Sequence, residues 1–179
     1  MRIVKKFLTW LLVLVALILI IALFVKKDFA AEKEVVINKP KQDVFNYIKY
    51  LKNQDNYGVW AKKDPAMKRE FNGTDGTEGF SSAWEGNSDV GKGQQTIKKI
   101  TDGQRLDLEL HFMKPFDSYS PAWMTTEEVS PTQTKVKWGM SGKMVYPFNF
   151  LGLFMNMNEM IGKDLQNGLD NLKGILEKQ

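Results

Sequence analysis

The sequence predicts an α+β fold preceded by one membrane-spanning helix, and three features of its 179 residues carry that prediction. An unbroken apolar run lies near the N-terminus. The middle of the chain alternates apolar and polar residues between Gly, Asn, Asp and Pro, and roughly the last thirty residues return to helical spacing. Period two marks strands that are dry on one face, and steps of three and four mark an amphipathic helix. One sheet covered by one long helix buries both apolar faces.

From Phe7 to Val25 the chain reads FLTWLLVLVALILIIALFV, nineteen residues with Thr9 as the only polar side chain. As a helix rising about 1.5 Å per residue it spans roughly 28 Å, close to the hydrocarbon thickness of a bilayer. A cleaved signal peptide has an apolar core of about 7 to 15 residues and ends at a small-x-small site. Here the run closes on Lys26, Lys27 and Asp28, and bulky Phe29 stands two before Ala31, where a small residue is needed. A soluble core helix would show a polar face, and this run has none. Residues 1–27 are therefore expected to be an uncleaved single-pass anchor, with the bilayer as partner through residues 7–25, and residues 28–179 a folded domain. Basic residues flank the run on both sides, Arg2, Lys5 and Lys6 before it and Lys26, Lys27, Lys33 and Lys39 after it. The positive-inside rule is thus nearly tied, and only the short basic tail ahead of the run tips it towards an extracytoplasmic domain.

Charge position also decides against a nucleic-acid partner. The chain has 25 Lys and Arg against 21 Asp and Glu, a net charge of +4, yet five of the basic residues bracket the apolar run and no acidic residue precedes Asp28. The remainder holds 20 basic and 21 acidic side chains, a net of −1, which is not the clustered positive charge that neutralises phosphates. With no cysteine there is no disulfide framework, thiolate metal site, iron–sulfur cluster or cysteine nucleophile. His111 is the only histidine, which removes any multi-histidine metal site. Neither a metal nor a cofactor is expected.

The elements follow in order. Glu32–Ile37 (EKEVVI) reads as a first strand, rich in β-branched residues and bounded by Asn38-Lys39-Pro40. Pro40 suits a helix's first turn, and Val44, Phe45, Ile48 and Leu51 form one apolar stripe. That helix fades through the polar stretch Asn53–Gly58, which leads to Trp60. Six strands are expected next: Met67–Phe71, Gly79–Glu85, Gln94–Ile100, Arg105–Phe112, Tyr119–Val129 and Thr134–Met140. In RLDLELHF, Leu106, Leu108, Leu110 and Phe112 point one way while Asp107, Glu109 and His111 point the other. Beyond Tyr146-Pro147, Phe154, Met157, Ile161, Leu165, Leu169, Leu172 and Leu176 predict one continuous helix of about thirty residues.

Strand, helix, short second helix, six-stranded meander and long final helix is the helix-grip layout. The sequence here resembles the START-related or SRPBCC superfamily, which includes pollen allergens of the birch type, polyketide cyclases, coenzyme-Q-binding proteins and lipid-transfer domains. The likeness is carried by VVINKPKQDVFNYI (Val35–Ile48), Tyr57-Gly58-Val59-Trp60, GFSSAWEG, VGKGQQTIKKI, TKVKWGMSG and the final helix. It covers nearly all of residues 28–179 and is greatest towards membrane-anchored bacterial proteins labelled polyketide-cyclase-like, a label of fold kinship and not of chemistry.

The resemblance implies a curved sheet of about seven strands gripping the last helix, with a cavity between them for a hydrophobic small molecule. Its expected lining is Trp60, Phe80, Trp84, Leu108, Leu110, Phe112, Trp123, Trp138, Met140, Phe154, Met157 and Ile161, with Glu127 as a carboxyl. The residues alone leave open a filled core, in which the same faces close on one another. Glu127 depends on register: it points inward if Trp123 and Val129 do, where burial would raise its pKa, whereas an inward Met124 leaves Glu128 at the solvated sheet end. His111 reads as a surface residue, and Gly91-Lys92-Gly93 as a turn without phosphate-loop spacing. Asn72-Gly73-Thr74 matches a glycosylation sequon, of consequence only in a eukaryotic secretory setting. The expected function is membrane-tethered binding of an apolar molecule or lipid. The alternatives are an aromatase- or cyclase-like enzyme using the same cavity, and a protein-interaction domain with a filled core.

Overall fold

The computed structural model describes residues 2–178. Helix α1 (Arg2–Phe24) contains the apolar run and is followed by β1 (Asp28–Ile37), which starts four residues before the expected strand. Helix α2 (Lys41–Ile48) begins after Pro40 and buries Val44, Phe45 and Ile48. Leu51, placed by its spacing on that same helix, sits instead in a separate 3-10 turn (Leu51–Asn53) and is still buried. The polar stretch after it forms the short helix α3 (Gln54–Tyr57), and α4 (Trp60–Lys63) follows.

Six strands complete the sheet: β2 (Lys68–Asn72), β3 (Ser81–Glu85), β4 (Lys92–Thr101), β5 (Arg105–Lys114), β6 (Ser118–Ser130) and β7 (Gln133–Lys143). The seven strands are ordered β1-β7-β6-β5-β4-β3-β2, antiparallel throughout. A bulge between Ile97 and Lys99 turns both Lys98 and Lys99 outward while Ile97 stays buried. An extra residue of this kind bends a strand and raises its twist, as a sheet that wraps a helix requires.

The final helical stretch is two elements and not the single long helix that the stripe predicts. A 3-10 segment (Phe148–Leu153) comes first, and α5 (Met157–Leu176) starts afresh after Asn156. Asn156 has extended backbone, and its side-chain oxygen accepts from the Glu159 amide at 3.2 Å. That bond satisfies one of the free amides of a new helix N-terminus. The stripe is real from Met157 onward, with Leu165, Leu169, Leu172 and Leu176 all buried. Phe154 is cut off from it and is 79% exposed.

α5 lies across β1 and β7. Its C-terminal half is tied down by Lys173, which donates to the Val36 carbonyl at 2.8 Å, and by Glu177, which accepts from the Asn38 amide at 2.8 Å. At that end α2 packs on β6 and β7, and Phe45, Ile37, Leu106, Met124, Val136 and Leu169 are buried together in one core. At the other end, where Asp28, Lys68, Glu85, Lys92, Lys114, Ser118 and Lys143 end or begin their strands, α2 does not cover the sheet. Cavity and filled core are therefore both present, one at each end of the same sheet.

Candidate functional site

The open half encloses a cavity of about 500 Å³ between the sheet, the N-terminal half of α5, helices α3 and α4, and the loops between strands. Sheet curvature positions its aromatic walls. Trp84 on β3 meets Phe112 on β5 edge to face, with ring centres 5.9 Å apart, and its indole N–H donates to the Val90 carbonyl at 3.0 Å. Gly93 lies opposite Trp84 in the β3–β4 register, and a Cβ there would stand 2.5 Å from the indole ring, so a side chain at this position would displace the ring. Trp60 meets Trp138 edge to face at 5.8 Å. Trp138 in turn rests on α5 at Gly168, where a Cβ would come within 2.6 Å of it. Leu110, Met140, Met157 and Ile161 belong to the same apolar lining.

Eight of the thirteen expected residues thus surround one space: Trp60, Trp84, Leu110, Phe112, Trp138, Met140, Met157 and Ile161. Five do not line it. Leu108 points inward but lies in the filled half, 2% exposed. Phe80, 1% exposed, is stacked on Phe71 at 6.2 Å beneath the β2–β3 edge. Phe154 is outside because the helix breaks at Asn156. Trp123 and Glu127 face the opposite side of the sheet: Ser120, Ala122, Met124 and Thr126 are the buried positions of β6, and side chains of one strand alternate. The open question of register is settled by Met124, which is 1% exposed. Trp123 lies over Gly139 on the outer face and donates to Glu32 at 2.6 Å, while Glu127 pairs with Lys135 at 3.5 Å. His111, also outward, stacks on Tyr119 and faces Asp117 at 3.3 Å. A shallower outer groove of about 390 Å³ runs past Arg105, Tyr119 and Trp123, where Arg105 pairs with Asp107 and Lys98 with Glu109.

The cavity also carries polar groups that the hydrophobic pattern did not single out. Arg69 on β2 hydrogen-bonds Asp55 on α3 at the wall. Partial burial raises the Asp55 carboxyl above its ordinary value, an effect opposed but not cancelled by the Arg69 charge. Asp164 on α5 is held by Lys63 at 2.7 Å, and Gln95 and Ser120 are buried on the sheet side. Arg69 was legible through pairing: it lies opposite Trp84, so an inward Trp84 requires an inward Arg69. Tyr57 is fully buried behind the wall, its hydroxyl 3.5 Å from the Met124 sulfur, and desolvation drives its pKa upward.

The mouth is framed by the β5–β6 turn and by residues 144–155. Phe116 packs against Phe148 with tilted rings 4.3 Å apart, and Lys114, Lys143, Met144, Leu151 and Met155 line the opening. The end of α1 is fastened to this frame. Asn149, completely buried, donates to the carbonyls of Ala22 at 2.6 Å and Val25 at 3.0 Å. The Tyr146 hydroxyl donates to the Leu19 carbonyl at 3.2 Å, and the Met144 amide to the Lys27 carbonyl at 2.8 Å. Helix α1 is long and apolar enough to cross a membrane, and nearly all of its sides are exposed.

Neither a family model nor a curated relative matches the chain. Solved structures do match in fold. Norcoclaurine synthase from Thalictrum flavum, solved in complex with dopamine and hydroxybenzaldehyde, aligns at 11% identity over 89% of this chain and 92% of its own, with a TM-score of 0.63. The protein Ara h 8.0201 aligns at 13% identity over 85% and 99%, TM-score 0.57. The protein CV1439 from Chromobacterium violaceum aligns at 12% over 83% and 96%, TM-score 0.58. At such identities the likeness is one of fold, and the fold is the helix-grip fold.

Proposed function

We propose, taking the helix-grip fold as premise, that this protein is a membrane-tethered holder of a hydrophobic small molecule or lipid, bound in the open half between sheet and α5. The observation that carries the reading is the cavity itself. About 500 Å³ lies within the range of small-molecule sites, which are mostly apolar with a few placed polar groups. Trp60, Trp84, Phe112 and Trp138 supply apolar contact area, and Met140 and Met157 supply thioethers that adapt to irregular guests. Arg69 and Asp55 supply one polar end for a head group. A solved neighbour whose structure holds two small aromatic molecules supports use of this fold for ligands.

Helix α1 serves in this reading as an uncleaved anchor, with residues 28–179 as the binding domain. The enzyme alternative needs an acid or base facing the cavity, and Glu127 lies on the outer face. Of the three carboxyls at the wall, Asp55 and Asp164 are each engaged by a cation, and Asp89 lies on the β3–β4 loop. Extraction and mass spectrometry of the full chain, purified from its membrane without detergent exchange, tests the reading. A defined apolar molecule should accompany the wild type and fall severalfold in Leu110→Trp, which fills the cavity. Identical lipid content in both proteins would refute it.

A further inference from the structure

We propose that the open end of the cavity is seated on the bilayer, with Phe116, Phe148, Leu153, Phe154 and Met155 immersed among head groups and upper acyl chains. This deepens the binding reading and rests on its assignment of α1 as a spanning helix. The joint between α1 and the 3-10 segment sets the depth. Asn149 holds carbonyls of Ala22 and Val25, in the last turn of the apolar run, and Tyr146 reaches the Leu19 carbonyl. Leu19 is six residues before Val25, about 9 Å further along the helix. When α1 spans the membrane, residues 146–153 therefore sit level with its emerging end or below it.

Their side chains suit that position. Phe148 and Phe116, packed together, are 40% and 39% exposed, Leu153 58%, Phe154 79% and Met155 40%. Scattered exposed apolar residues are ordinary, but a collar of them around one opening marks an interaction surface. The partner is lipid and not protein because the same end carries Lys26, Lys27, Lys114 and Lys143, and Lys27 lies over the Tyr146 ring at 5.5 Å. Tyrosine and lysine bordering an apolar face are the composition of a membrane interface that meets anionic lipid. A cavity opening there receives apolar molecules from the bilayer without their crossing water.

Because the chain has no native cysteine, single labels report cleanly. Leu153→Cys, Phe116→Cys and, at the far end of β6, Val129→Cys, each in the full chain, would carry a nitrobenzoxadiazole fluorophore. The proteins are reconstituted in vesicles of phosphatidylcholine and phosphatidylglycerol bearing nitroxides on the upper acyl chain. Labels at 153 and 116 should be blue-shifted and quenched severalfold more than at 129. Equal, weak quenching at all three in vesicles that carry the floated protein overturns the seating while leaving the anchor intact. Blue-shifted labels that lipid nitroxides do not quench mean that a second copy or another protein covers the collar, which also overturns it. Protein that fails to float with vesicles removes anchor and seating together. A quenched collar on a chain that extracts empty supports the seating and removes the binding reading alone.

Discussion

At the residue scale, the pair Arg69–Asp55 decides how the cavity responds to pH. The Asp55 carboxyl titrates above its ordinary value of 3.8 because its partial burial outweighs the Arg69 charge. Between the ordinary and the raised value the folded chain binds more protons than the unfolded one, so stability from this group falls as pH rises through that window. Asp55→Asn should therefore match the wild type in strong acid and become the more stable of the two towards neutrality, as denaturant titrations across that range would register. Equal curves at every pH would show that Arg69 compensates the burial fully. Glu127→Gln provides the complementary check. Its side chain is on the outer face beside Lys135, so extracted ligand should be unchanged, and a loss would mean that Glu127 reaches the ligand.

At the element scale, the break before α5 separates the collar from the stripe. Asn156→Ala removes the cap on the Glu159 amide and should cost about 1 kcal/mol in a denaturation experiment, the usual worth of an N-cap side chain. Hydrogen exchange should quicken at the start of α5, by the cavity, and remain slow around Leu169. Gly168 is the counterpart at mid-helix, where Trp138 packs against bare backbone. Gly168→Val forces the indole aside, and overpacking of that sort costs about 1–3 kcal/mol. The displaced ring has only the cavity to enter, so the variant should lose ligand as well as stability, a pairing that Asn156→Ala should not show.

At the scale of the whole molecule, Asn149 couples α1 to the body. It is fully buried and its amide N–H groups satisfy the terminal carbonyls of α1. Asn149→Ala frees that end while leaving the sheet and α5 untouched. Nitroxide distances between α1 and the outer sheet face should broaden, with the denaturation midpoint of the body little changed. An unaltered distance distribution would show that Tyr146 and the Lys27 carbonyl bond hold the joint without Asn149.

Local pattern determined much by itself. The apolar run determined a helix long and apolar enough to cross a membrane, β-branched content and the two-residue alternation determined seven strands and most of their inward faces, and the leucine steps determined the buried side of α5. Each of these is a periodicity, readable from neighbours in the chain. Tertiary structure decided what depends on distant partners. The inward Met124 set the β6 register through its place in the filled half, and the broken final helix expelled Phe154. Arg69 met Asp55 only because α3 folds beside β2. Cavity and core are made of the same residue types in the same rhythm, and they differ in whether α2 lies above them. That difference is one of packing across the sheet, and no local rhythm carries it.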